Sequence, residues 1–545
     1  MQLTPLAKGF ISIVVLGVVA YVGYANYSDQ IRNWASDRPV DAPAPEKPQE
    51  LNKEDFSALA QKPSDAPRNG DQPNLAATAP GKGKLDRPLV VGINTWAGHA
   101  PGVVFNRGLD VSDRSLYKSK YGLDVRFVLL EDPAAKLAAF RKGDVDIMWD
   151  TVDNWAREAS TLAEGSQKAK SIILQDWSRG GDGVVSLASI HSIEDLKGKT
   201  VACTQFTPSH FLLLFLLSQS GLSIEDRREI ESKVVFTQDA PAAAAMFKAA
   251  RVDAAVTWEP DLSGAVAARG DEAHILVSTA AATNVIADTL VARDELIAQA
   301  PESVQAFVSG WFEGIEQMRL DPAASHAIVG DALKLDAETV SGMLSGLKLT
   351  PFADNAVFYG LSGGKSHFDT LFDTAFVIWR KKGLVTRAVS AKDWVDTRFV
   401  AALAPANPGA KVEEPKIAPK APGKDDRAII NKQIQIHFTP GSDQIMEGSY
   451  FVLDSLGETM IAFGNTYLRV EGNTDSTGSA SGNKTLSQKR ADAVRAYLLK
   501  EFPGIEAARF QTIGHGADNP VAPNNTETGR QLNRRTDIKV VLAEN

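Results

Sequence analysis

The stretch YLRVEGNTDSTGSASGNKTLSQKRADAVRAYLL, residues 467–499, decides the fold of the C-terminal end of the chain. It begins as a strand and runs into a polar, glycine-bounded loop, Gly472-Asn473-Thr474-Asp475-Ser476-Thr477-Gly478. After Asn483 the period changes. Ala491, Val494 and Leu498 recur at helical spacing, with Ser487 read as the helix N-cap and Arg490 in its first turn.

Working outward, a strand pattern at 434–438 and a helix pattern carried by Tyr450, Leu453, Leu456 and Met460 come before it. Gly514-His515-Gly516, Asn533-Arg534-Arg535 and a final strand pattern at 537–542 come after it. Taken together, TDxxG at Asp475, the asparagine Asn483, LSxxRAxAVxxYL and the Asn-Arg-Arg triplet resemble the OmpA-like peptidoglycan-binding domain over residues 427–545. The resemblance implies an α+β domain of βαβαβ type. It also implies that Asp475 and Arg490 grip the diaminopimelate of a peptidoglycan stem peptide, with Asn483 and Arg534 in support. The chemistry agrees with that implication. A free amino acid end offers ammonium and carboxylate groups, which an Asp and an Arg complement through charge-assisted hydrogen bonds. Amides of a first helical turn beside Arg490 would add to carboxylate capture. One position departs from many members of that family, which have His where Asn473 stands.

Two proline-rich segments divide the rest. Residues 36–86 carry Pro39, Pro43, Pro45, Pro48, Pro63, Pro67, Pro73 and Pro80 among polar residues and alanine, and residues 404–426 are similar. Neither can bury a core, so both read as extended tethers. The first could reach on the order of 150 Å at ~3.1 Å per residue. Ahead of it, residues 10–27 (FISIVVLGVVAYVGYANY) hold no charge and follow Lys8. About eighteen apolar residues suffice to cross a hydrocarbon core of roughly 30 Å. A membrane anchor over residues 1–35, with a cytoplasmic N-terminus, is therefore expected. Gly23-Tyr24-Ala25 keeps a cleaved signal peptide open as the alternative, leaving a soluble periplasmic protein.

Between the tethers, residues 87–403 alternate strand and helix patterns. Strands are expected at 89–94, 123–130, 146–149, 171–174, 200–203, 234–237, 254–257 and 274–278, and helices at 134–140, 152–162, 210–218 and 242–250. Such alternation predicts parallel α/β sheets. From 294 to about 347 the pattern is helical. The ordered segments INTWAGHAPG, AAFRKGDVDI, GGDGVV, IEDLKGKTVACTQFTPSHFLLLFLL and VDAAVTWEP resemble the periplasmic substrate-binding proteins of nitrate/taurine/sulfonate-type ABC transporters. The resemblance implies a two-lobed periplasmic-binding-protein fold of type II-like topology, with crossovers near 179–185 and 284–291, closing on a small solute.

Ligands of open α/β sheets bind beyond the carboxyl ends of strands, where loops meet helix N-termini. Trp96, Asp150, Thr151, Asp176, Asp182, Gln205, Thr207, Ser209, Trp258 and Glu259 fall there. Four are carboxylates, and only Arg179 accompanies them. Carboxylates beside tryptophans favour a cationic nitrogen, so an amine-containing solute is expected, with any anionic group on the Thr207/Ser209 side.

Several classes are disfavoured. A net charge of −9 gives no reason to expect nucleic acid. The single cysteine, Cys203, excludes an internal disulfide and a cysteine-based metal cluster. His99, His191 and His210 are scattered, no nucleophile motif occurs, and neither metal nor cofactor is expected. The sequence thus describes a binding protein, not an enzyme, held between inner membrane and peptidoglycan. It would serve ABC-type uptake through a permease or solute sensing. A structural tether whose binding fold has lost its solute is the alternative. Flagellar-stator-like work is disfavoured, because residues 10–27 lack an ionisable side chain.

Overall fold

The computed structural model of the chain describes residues 83–363, 366–412, 428–434, 436–439 and 441–542. The expected anchor at 10–27 lies outside them, as do all but the last four residues of the first tether and most of the second. Among the described residues no helix is long and apolar enough to cross a membrane.

Among the described residues fifteen strands form three sheets. In chain order they are β1 (Leu89–Ile93), β2 (Val125–Leu129), β3 (Ile147–Thr151), β4 (Ala169–Ser178), β5 (Asp182–Leu187), β6 (Val201–Thr204), β7 (Val234–Thr237) and β8 (Ala254–Trp258). There follow β9 (Ala273–Ser278), β10 (Ala287–Arg293), β11 (Leu347–Leu349), β12 (Ala428–Ile434), β13 (Thr466–Asn473), β14 (Phe510–Gly516) and β15 (Thr536–Leu542). The first lobe is the sheet β11-β4-β10-β3-β1-β2, the second is β7-β6-β8-β5-β9, and the C-terminal domain is β12-β15-β13-β14.

Strand β1 is apolar and buried on both faces, as a strand covered by helices on either side must be. It pairs in parallel with β2 and β3, and β6 pairs in parallel with β7 and β8. The expectation of parallel sheets fails at three strands. Strand β5 runs antiparallel to β8 and β9, β10 runs antiparallel to β3 and β4, and the short edge strand β11 runs antiparallel to β4. For β5 and β10 the cause is the lobe switch. A chain that leaves one sheet at its cleft end enters the next sheet from the cleft and must run away from it. The two switches fall at residues 179–181 and 279–286.

The helix Pro208–Gln219, with apolar residues all round, is buried from Pro208 to Leu217. Phe211 meets Trp379 of the helix His367–Lys381, and Phe215 stacks on Phe463 of the C-terminal domain at 5.9 Å. In that domain the strand expected at 434–438 is instead β12, ending at Ile434, and Phe438 forms only a single bridge to Ile445. The pairing with β15 starts earlier, at Ala428, and takes in the buried Ile430.

Candidate functional site

Two sites stand apart. The first surrounds the loop after β13. The helix expected to start at Ser487 starts at Ala480, capped by the Ser479 side chain, which accepts from the Gly482 amide. Arg490 therefore lies in mid-helix, not in its first turn, and the amides expected to assist it are two turns away. Ser487 is buried, and its hydroxyl accepts from the Gly516 amide at 2.8 Å. Asn483 fixes the loop, its Nδ2 donating to the Asp475 carbonyl at 3.2 Å and the Thr477 carbonyl at 3.0 Å. Asn533 braces the opposite wall, accepting from the amides of Val521 and Ala522 and donating to Asn524 Oδ1, which in turn accepts from the Ser476 amide.

Inside this frame Asp475 accepts from Arg534 Nη1 at 2.5 Å and from the Thr477 amide at 2.8 Å. Burial pushes its carboxyl up, but those bonds outweigh it and hold the group below its ordinary value. Arg490 is not in salt-bridge contact with Asp475. It donates from Nε to the Ser442 carbonyl at 3.0 Å and lies 4.9 Å from the centre of the Phe438 ring. Burial and the Arg534 charge lower its basicity, while Asp443 and Asp475 act the other way. One ionised carboxylate and two guanidinium groups thus share a half-exposed face, with donor capacity left for an incoming carboxylate. Asn473, at the departing position, donates from Nδ2 to Asp537 Oδ2, so it shapes the strand end behind the loop.

The second site is a small cavity between the two lobes, lined by Asn94, Trp96, Trp149, Thr151, Asp182, Pro208, Trp258, Ile286 and Asp288. Of the residues singled out in the sequence, Trp96, Thr151, Asp182 and Trp258 line it. Asp176 stands behind, accepting from Trp96 Nε1 at 3.3 Å. Thr207 donates its hydroxyl to the Thr204 carbonyl and starts the helix whose first residue, Pro208, reaches the cavity. The Ser209 hydroxyl is buried without a protein partner. Gln205 stays partly exposed, and Glu259 accepts from the Ser263 amide and hydroxyl. Neither lines the cavity. Asp150 does not either, since it turns to the buried Lys136 at 3.4 Å while its neighbours on β3, Trp149 and Thr151, line the cavity. Sequence reasoning missed Asn94, Trp149, Ile286 and Asp288. A carboxylate in the apolar run Val285-Ile286-Ala287-Asp288 was the available signal for the last.

The electrostatics are one-sided. Asp182 Oδ1 is buried with no hydrogen-bond partner. Burial, with the Glu259 charge added, pushes its carboxyl up to about 7. Burial also raises Asp176 and Asp288 well above the ordinary range, and each feels the other carboxylates. Burial lowers His99, which bridges Asn94 and Gln175, to about 4, so it is neutral and supplies no positive charge at pH 7.

Two α/β lobes closed on a cavity, followed by a small α+β domain with a charged surface site, define a chain of modular build. Residues 116–325 match the NMT1/THI5 like family model and residues 437–534 match the OmpA family model. One segment of the chain is thus similar to the NMT1/THI5 like family and a later one to the OmpA family. Outer membrane porin F of Pseudomonas aeruginosa is 37% identical over 112 residues, 21% of this chain and 32% of that protein. Peptidoglycan-binding protein ArfA of Mycobacterium bovis is 26% identical over 228 residues, 42% of this chain and 63% of that one. The chain thus spans about a third of the length of the first and less than two thirds of the second. Among solved structures, the periplasmic aliphatic sulphonate binding protein SsuA from Escherichia coli is similar at 18% identity and a TM-score of 0.45, covering 57% of this chain and 98% of that one.

Proposed function

We propose that this chain is a periplasmic solute-binding protein fixed to peptidoglycan, taking a small solute that carries a protonated amine. One observation carries the solute half: Asp182 on one lobe and Asp288 on the other line a single cavity walled by Trp96, Trp149 and Trp258. A buried acceptor without a donor is costly, and a cation that donates N–H groups relieves it. Tryptophan faces add to that attraction. The wall half rests on Asp475, Arg490 and Arg534, whose charges complement the amino acid end of a stem peptide, and on the peptidoglycan-binding function that ArfA's name states.

In this reading residues 10–27 hold the chain at the inner membrane and the proline-rich segments let the binding domain reach a permease or a sensor. Confinement near one partner raises the effective concentration of the loaded protein.

The test has two arms on the full chain. Sedimentation with purified sacculi should retain the wild type and lose Asp475→Ala and Arg490→Ala, each weakened by roughly 10–100-fold for a lost charge-assisted hydrogen bond. Equal retention of all three rejects the wall half. A thermal-shift screen of amines, amino acids, sulfonates and nitrate should respond to primary amines; ligand at 100 times its Kd adds about 2.7 kcal/mol. Tight binding of sulfonate or sulfate alone rejects the amine. No response to any class favours a structural tether whose binding fold holds no solute.

A further inference from the structure

The segment that returns the chain from the second lobe to the first, residues 279–286, is gripped by the OmpA-family domain. Asn284 donates from its amide to the Ala462 carbonyl at 3.1 Å and from Nδ2 to the Ile461 carbonyl at 2.7 Å. Those carbonyls end the helix Tyr450–Ala462, where no intrahelical donor exists for them. The neighbouring carbonyls of Met460 and Phe463 are taken by Arg509, so the hinge residue completes the helix end. The Asn465 amide donates back to the Ala281 carbonyl, and Gly464 lies so close that a Cβ there would come within 2.2 Å of Thr283 Oγ1. Asn284 Oδ1 also accepts from Arg179 of the outgoing crossover at 3.1 Å, so both hinge strands are held through one residue. Two residues further on is Ile286, and then Asp288, both lining the cavity.

The other end of that helix leads to the wall site. Ser449, just before it, accepts from the His437 amide, next to Phe438 on which Arg490 lies. Tyr450 stacks on Tyr497, which shares the helix Ala480–Glu501 with Arg490, and the Tyr497 hydroxyl donates to Asp454 at 2.7 Å.

We infer that the helix Tyr450–Ala462 clasps the return hinge and links occupancy of the wall site to opening and closing of the solute cavity. This rests on the two-site reading above and adds how one site regulates the other. Hinge strands absorb the backbone rotation of lobe closure, so bonds to them bias that equilibrium. Linkage is reciprocal: whatever wall binding does to the cavity, a solute does to wall binding.

Amide hydrogen exchange on the full chain tests it, with the tripeptide L-Ala-D-Glu-meso-diaminopimelate as probe. Bound tripeptide, seen as protection around Asp475 and Arg490, should change exchange across 279–286 by roughly fivefold or more, the lower end of common couplings. Asn284→Ala and Gly464→Ala, which break the clasp from opposite sides, should each speed exchange in 279–286 and remove the tripeptide effect there while the tripeptide still binds. Tripeptide bound with no change at 279–286 overturns the linkage. If the tripeptide does not bind at all, the wall reading fails on its own and the linkage falls with it. The clasp is then judged by the two variants alone, and unchanged exchange at 279–286 in both overturns it.

Discussion

Lys136 shows what a single residue does at the cavity's edge. It is fully buried, 3.4 Å from Asp150, 3.3 Å from Glu158 and 4.4 Å from the Trp149 ring centre. Removing one partner from a buried ionic group leaves uncompensated charge, typically at a cost of about 3–5 kcal/mol. Lys136→Met should lower stability by that amount in urea unfolding, and adding Glu158→Leu should recover part of it. The sequence hides this arrangement, because a lysine in a helical pattern is ordinarily a surface residue. For the same reason the pairing of Asp150 with that lysine has no sequence signal. That Asp475, Asn483 and Arg534 meet around one loop was legible, since a local motif brings them together. Ser487 was not, because the side chain that stops the loop is Ser479, and the serine eight positions on serves β14.

At the scale of elements, glycines set how closely the long helix Ala480–Glu501 lies on its sheet. A Cβ at Gly472 would come within 2.2 Å of the Ser487 carbonyl oxygen, and one at Gly514 within 2.4 Å of the Gln488 amide nitrogen. Backbone atoms cannot yield as a flexible side chain can. Gly514→Ala should therefore destabilise by about 1–3 kcal/mol, the usual range for overpacking. Gly504→Ala, where a Cβ meets nothing within 4 Å, should be close to neutral in the same thermal melt. Strands with a strong local signature were readable in advance: β1, β3, β6 and β8 each open on an apolar run. Strand β5 (DGVVSL) opens on a charge and a glycine and has no such run, and the direction of β5 and β10 depends on which sheet the chain has just left. That is a long-range property without a local pattern. The helix Ile224–Ser232 escaped for the opposite reason, since it buries only Ile230 and shows almost no apolar stripe.

Across the whole molecule, the proposed closing of the lobes would bury charge. Asp153 and Asp176 on the first lobe, with Asp288 returning to it, lie within electrostatic reach of Asp182 on the second, and burial raises all four. Among the charged groups around them, Lys136 and Arg157 are spent on Asp150 and Glu158, Arg179 is bound to Asn284, Glu259 adds negative charge, and His99 is neutral. In the solute-binding reading proposed above, opening the lobes hydrates these carboxyls, so the closed form binds more protons than the open one. The sign follows from linkage: carboxyls raised on closure favour the closed state at low pH, and that preference is lost as pH rises from the ordinary 3.8 toward the value of about 7 at Asp182. Acrylamide quenching of tryptophan fluorescence should thus increase between pH 5 and pH 8 in the solute-free protein, as Trp96 and Trp258 become accessible. The double variant Asp182→Asn, Asp288→Asn should flatten that profile, because amides need no proton to be buried. A protonated amine does the proton's work at neutral pH, so its affinity should climb with pH up to about 7 and then level off. Quenching that is the same at both pH values in the wild type would show that these carboxylates do not control closure.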